Sequence, residues 1–289
     1  MSITSTALVA LPTRVGGLVR TARPRQWVKN VLVAAAPLAA ARADGATLAA
    51  TGVAFVAFSC AASAVYFLND VLDASEDRAH PDKRLRPVAA GIVPERAALA
   101  AAAALAVTAL ALSLAWQPAG AVVLAGYLLV NACYCRWLKH VLIVDMAVVS
   151  SGFLLRAAYG GAMAAVPLTR WFLIVIGAAA LFAVAGKRFS ELARLHADGL
   201  TPRPPLDQYS MSYLRFVWQA AGTVAMTVYC LWAFPAHSLT IIPFGLAFLR
   251  YAWHIDRAEA GAPESVVFGD RWLLAVSGAW VALFLAPNV

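Results

Sequence analysis

The residues with the plainest chemistry form the run Asn69-Asp70-Val71-Leu72-Asp73-Ala74-Ser75-Glu76-Asp77, at the end of a long apolar stretch. Helical positions three and four apart face the same way. The spacing therefore predicts one stripe of Asn69, Asp73 and Asp77, with Asp70 beside it. Carboxylates one turn apart repel unless a cation lies between them. Hard oxygens suit Mg²⁺, which takes one or two protein carboxylates and completes its shell with water and phosphate. A solvated acidic helix cap is the plainer alternative, but this spacing followed at once by Lys83, Arg84 and Arg86 favours a site for a metal and an anion. Those cations would meet a diphosphate, the arginines as planar forks matched to phosphate oxygens. Asp73, Lys83 and Arg86 are the expected catalytic members, and Pro81 and Pro87 stiffen the loop between them.

Further ionisable residues sit in or beside apolar runs. Lys187, Arg188 and Glu191 are two cations with an acid one turn on. Asp145 and Arg156 are eleven residues apart, close to three helical turns, and so share a face. Ionisable groups within a membrane span usually face the interior and mark function, and Asp145 is counted with the catalytic set, although an ion pair bridging helices would also explain these two. Lys29, Lys139 and His140 are expected either to bind substrate or to anchor span ends by snorkelling.

The elements that must hold these residues are set by composition. The 289 residues are 62% hydrophobic and 13% charged, with a mean hydropathy of +0.73, which excludes an ordinary soluble domain. Runs long enough to cross about 30 Å of hydrocarbon occur near 27–43, 47–72, 97–115, 119–136, 140–164, 171–192, 215–235, 238–254 and 270–286. Their continuous hydrophobicity argues against a β-barrel. The expectation is an all-α integral membrane protein of nine spans, with residues 1–26 as a cytoplasmic arm and 27–289 as one transmembrane catalytic domain. Of the 23 basic residues, all but Arg42, Arg156 and Arg170 fall on one side of that topology. The positive-inside rule makes that side cytoplasmic, with the site facing inward; the expected location is the plasma membrane. Asp and Glu contribute little to orientation, yet all but Asp44 and Asp145 gather on the same side, as a site would require. Cys60, Cys133, Cys135 and Cys230 fall within spans as packing residues. The cations are dispersed among apolar spans, so nucleic acid is not an expected partner; a homo-oligomer is allowed.

The segment NDVLDASED with the trailing DRAHPDKRLRPVAAG resembles the first Asp-rich motif of the UbiA superfamily of intramembrane prenyltransferases, over most of the chain. The resemblance implies a nine-helix bundle around a cytoplasm-facing cavity, with Mg²⁺ on Asn69, Asp70, Asp73 and Asp77. Members usually carry a second Asp-rich motif near the sixth helix. Here that place holds Lys187-Arg188-Phe189-Ser190-Glu191, which counts against a prenyl diphosphate donor. RPRQWVKN (23–30), LKH (138–140), SGFLLRA (151–157), KRFSEL (187–192), YLRFVW (213–218) and GAPESVVFGDR (261–271) are similar to the decaprenyl-phosphate phosphoribosyltransferase branch. That branch makes a precursor of cell-wall arabinan for arabinogalactan.

Membership of that branch implies transfer of phosphoribose from 5-phosphoribosyl 1-diphosphate to a polyprenyl phosphate. Lys187 and Arg188 would then grip the 5-phosphate or the acceptor phosphate in place of a second metal. Inversion at ribose C1 is expected, and the anionic acceptor needs no strong base, so positioning and electrostatics would carry the rate. An aromatic or quinone prenyltransferase would share the fold and first motif. A transporter would show repeated halves around a midplane site, and no such repeat is visible.

Overall fold

A bilayer offers no water to backbone amides, so each spanning segment must satisfy them internally. The computed structural model describes residues 13–202 and 205–286, and these are helices and loops without a strand. The first twelve residues of the expected arm and Arg203 lie outside the described residues. The α-helices are α1 (Arg14–Ala22), α2 (Ala35–Ala39), α3 (Gly45–Leu72), α4 (Ala74–Arg78), α5 (Glu95–Trp116), α6 (Pro118–Arg136), α7 (Val144–Met163), α8 (Arg170–Ala197), α9 (Met211–Ala233), α10 (Ile241–Asp256), α11 (Pro263–Gly269) and α12 (Arg271–Leu285).

Helical segments stand at each of the nine expected places, but the nine-span expectation is met only in part. α3, α5, α6, α8 and α9 are long and apolar enough to cross a membrane, and α11 with α12 makes a sixth candidate despite an 85° bend between them. The chain is thus a multi-pass membrane protein. α10 has 16 residues, and Asp145 and Arg156 lower the hydropathy of α7. The first expected span is a 3₁₀ stretch, Pro24–Ala34, running into α2. Its start is set by Arg23, whose left-handed backbone (φ 52°) ends α1, and by Pro24, which fixes φ at the first helical position.

Small residues let the helices approach closely, the usual basis of helix association in lipid. Ala54, Ala57, Ala61, Ala98 and Ala109 are fully buried on α3 and α5, one of the two most extensive helix pairs; α8 with α9 is the other. A Cβ at Gly160 would lie 1.7 Å from the Val33 carbonyl oxygen, so α7 meets the 3₁₀ stretch backbone to backbone. Beneath α1, Phe67, Ala74, Val88, Val93 and Ala98 form a small core that pins the loop carrying Arg86 against the end of α3. The four cysteines are free.

Candidate functional site

α3 stops at Leu72, and Asp73 caps it (φ −91°, ψ −1°) before the short α4 begins. Helical hydrogen bonds from Asp73 to Asn69 and from Asp77 to Asp73 carry the spacing across this point, and side-chain contacts sort the four oxygen-bearing residues into two pairs. Asp70 and Asp77 are each 2% exposed and turn toward Arg86, whose Nη1 lies 2.7 Å from Asp77 Oδ2 and 3.5 Å from Asp70 Oδ1. Asn69 donates to Asp73 Oδ2 at 3.0 Å, and Lys139 donates to the other Asp73 oxygen. Arg23, held by its left-handed backbone, donates to Asp70 at 2.5 Å and lies over the Tyr66 ring.

Asp70, Asp73 and Asp77 thus each carry a protein cation. Among the described residues no three His, Cys, Asp or Glu side chains gather as a ready metal cage. The donor set nevertheless suits Mg²⁺, because one or two carboxylates with water and phosphate are its usual shell. Arg86 bridges two carboxylates where a cation is wanted. Arg86 and Lys139 therefore join the site, whereas Lys83, Arg84 and His140 are exposed, and no side-chain ion pair ties any of the three to the motif.

A second polar group lies on α7 and α8. Asp145 is 0% exposed, accepting from Tyr209 Oη at 2.5 Å and from Arg188 Nη2 at 3.2 Å. Arg188 also reaches Glu191 at 3.3 Å, and Lys187 lies 3.5 Å from Glu191. Tyr209 Oη accepts from the Ile143 N–H at 2.7 Å, which fixes the left-handed Ile143 (φ 70°) that starts α7; a β-branched residue tolerates that region poorly. Burial, reinforced by the hydrogen bond to Asp145, pushes the Tyr209 phenol above its ordinary range, so it stays a neutral donor. Arg156 turns away from Asp145. Its Nε donates to Asn30 at 2.9 Å, its Nη1 to the Gly152 carbonyl at 2.7 Å, and its guanidinium lies 4.9 Å from the Phe58 ring centre. Asn30 in turn donates to Ser59. Arg156 therefore ties α7 to the 3₁₀ stretch and α3 and does not pair with Asp145.

Against the second group opens a cavity of about 1090 Å³, lined mostly by apolar side chains of α2, α8, α11 and α12, with Lys29, Lys187, Arg188 and Glu264 among its charged residues. Lys29 Nζ donates to Gln26 Oε1 at 2.6 Å and lies 3.6 Å from Glu264 Oε2. Arg23, Gln26, Asn30, Tyr209 and Glu264 were not singled out from the sequence. Four of the five lie inside segments already notable there, RPRQWVKN and GAPESVVFGDR; Tyr209 lies outside them and had no signal of its own. At the α11–α12 corner, Asp270 caps α12 and accepts from Arg250 at 2.6 Å and pairs with His254 at 2.7 Å. Glu259 lies across His254 at 2.7 Å, its acidity strengthened by hydrogen bonds from Arg257 and His254.

Residues 30–274 match the UbiA prenyltransferase family. A decaprenyl-phosphate phosphoribosyltransferase of Mycobacterium tuberculosis is 46% identical over 93% of this chain and 93% of its own. The protein of the same name from Mycolicibacterium smegmatis is 45% identical over 92% and 91%, and that of Corynebacterium glutamicum 40% identical over 94% and 88%. In fold, the chain is similar to a UbiA homologue from Archaeoglobus fulgidus bound to GPP and Mg²⁺, with a TM-score of 0.72 at 15% identity, covering 93% of this chain and 98% of that one.

Proposed function

The chain belongs to the UbiA prenyltransferase family, and from that membership we propose that it transfers 5-phosphoribose from 5-phosphoribosyl 1-diphosphate to a polyprenyl phosphate such as decaprenyl phosphate, releasing diphosphate. Family and relatives make it a transferase. The observation that carries the choice of donor is the pair Lys187 and Arg188 on the cavity wall, where other members have a second acidic motif. A donor bearing phosphate at both ends, with an acceptor bearing a third, calls for one acidic metal site and separate cations, which is the division of charge seen here.

Asn69, Asp70, Asp73 and Asp77 would hold Mg²⁺ with the donor's diphosphate. Bound there, the ion would neutralise charge building on the leaving group. Arg86, Lys139 and Arg23, already at these carboxylates, are placed to donate to diphosphate oxygens as the C1–O bond breaks and the electron pair departs with diphosphate. Lys83 and Arg84, on the exposed loop, are placed to meet the donor as it arrives. His140 shares a 3₁₀ turn with Lys139, which supports a part for it in meeting the donor. Arg188 and Lys187, with Glu191, face the 5-phosphate or the acceptor phosphate. Asp145, sealed behind Arg188, acts as a positioning residue, and Arg156 fixes the cavity wall. The lipid phosphate oxygen then forms the new bond at C1 from the face opposite the leaving group, with inversion. The acceptor is already an anion, so no general base is needed, and preorganised charge supplies the rate. The apolar cavity is the place for the isoprenoid chain, and the face carrying the α3 end is the cytoplasmic one in the plasma membrane.

Binding by the purified protein in detergent tests this reading. 5-Phosphoribosyl diphosphate should bind in the presence of Mg²⁺, weaken on EDTA or in Asp73→Ala, and resist competition by geranyl diphosphate. Tight geranyl diphosphate binding, with prenylation of an aromatic acceptor, would instead make the chain a prenyltransferase and leave Lys187 and Arg188 without this role.

A further inference from the structure

The large cavity is charged mainly at one end, and the carboxylate there is poorly satisfied. Glu264 Oε1 accepts from Gln26 Nε2 at 3.3 Å. Its Oε2 is buried with no hydrogen-bond partner, 3.6 Å from Lys29 Nζ, beyond hydrogen-bond reach. A buried carboxylate oxygen left without a donor is costly. Of the cations near it, Lys29 donates to the neutral Gln26 Oε1 at 2.6 Å and Lys187 lies 3.5 Å from Glu191, whereas Arg188 is engaged by both Asp145 and Glu191. Two ammonium groups and one under-bonded carboxylate therefore meet where a chain-shaped apolar cavity ends.

Resting on the reading of the acceptor as a polyprenyl phosphate, we propose that Lys29 and Lys187 bind the phosphomonoester of that lipid and that Glu264 stands in for it until it arrives. A phosphomonoester brings close to two negative charges and three acceptor oxygens, enough to satisfy both ammonium groups and displace a carboxylate that makes one hydrogen bond. A membrane phosphodiester carries one charge and is a weaker competitor. Glu264 thereby becomes a specificity residue: it keeps the abundant bilayer phospholipids out of a cavity whose apolar walls would accept their chains. It rides on α11, a two-turn helix set at 85° to α12, so its displacement needs movement of a short segment and none of the long helices.

The test measures binding of decaprenyl phosphate and of phosphatidylglycerol to the full chain in detergent, without donor or Mg²⁺, beside the KM for 5-phosphoribosyl diphosphate. Glu264→Gln should bind phosphatidylglycerol about tenfold more tightly, the scale of one removed charge contact, and so discriminate less between the lipids. Lys29→Ala, checked against Lys187→Gln in case it misfolds, should lose about tenfold in decaprenyl phosphate affinity. Glu264→Gln should not move the donor KM more than about twofold, because the donor's metal site is elsewhere. Unchanged lipid discrimination in Glu264→Gln, or lysine variants that raise the donor KM in place of lipid affinity, would overturn the assignment. Selective binding of decaprenyl phosphate by a protein that transfers nothing from 5-phosphoribosyl diphosphate would sink the proposed function and leave this lipid site standing.

Discussion

At the scale of single residues, the motif carboxylates are held in charge-neutral pairs that a metal and a diphosphate can take over. Asp73→Asn keeps the shape of the side chain but removes its charge, and transfer should fall by roughly 100-fold or more, the usual cost of losing an electrostatic contact made in the transition state. A fall confined to KM at high Mg²⁺ would show that Asp73 serves binding alone. Tyr209→Phe removes one of the two donors to Asp145, Arg188 being the other, and should lower unfolding stability by about 1–3 kcal/mol, read from thermal unfolding in detergent. Because the folded phenol ionises above its ordinary value of 10.0, its contribution is full below pH 10 and is lost as pH rises through the folded value. The melting gap between wild type and Tyr209→Phe should therefore narrow above pH 10. The carboxylates were legible in the sequence because their spacing is helical; their pairing with Arg86 was not, since only the folded loop places it against both Asp70 and Asp77. The side-chain types of Lys187 and Arg188 were plain, but Arg188's partner Asp145, 43 residues earlier in the chain, depends on how α7 meets α8.

At the scale of elements, hydropathy located the helical segments and misjudged their form. The first expected span reads as a continuous apolar run, yet it folds as a 3₁₀ stretch that Pro24 starts, with Arg23 and the buried Asn30 tied to α3 and α7. Asn30 joins Ser59 and Arg156 across three segments, a connection no local pattern reveals. The close approach at Gly160 follows from the same contact. Gly160→Ala must move α7 or the 3₁₀ stretch by more than an ångström, and the strain of overpacking, about 1–3 kcal/mol or more, should appear as a lower melting temperature together with weakened lipid binding. Gly126→Ala, with open space around its position, should be nearly silent. Equal effects of the two would mean that backbone contact does not set the cavity wall. The 85° bend between α11 and α12 was likewise invisible in hydropathy, which sees a sum and not a direction.

Across the whole molecule, charge is segregated: the α3 end, the 3₁₀ turn after α6 and the polar end of α8 share one face, and the apolar cavity runs away from it. Fold class was legible throughout because composition leaves few choices in a bilayer. The count of spans was not, because segments shorter than a bilayer can still pack at full depth against longer neighbours. Single cysteines at residues 80 and 42, in a background lacking the four native ones, should react with a membrane-impermeant thiol reagent from opposite sides of cells, residue 42 from outside. Labelling of both from one side would contradict the topology.

The most direct test of the account supplies 5-phosphoribosyl diphosphate carrying ¹⁴C in the ribose and ³²P in the diphosphate, with decaprenyl phosphate and Mg²⁺. The account predicts ¹⁴C in the organic phase and all ³²P left in water as diphosphate, with both movements stopped by EDTA. Ribose carbon remaining in water, or diphosphate phosphorus entering the lipid, would contradict it.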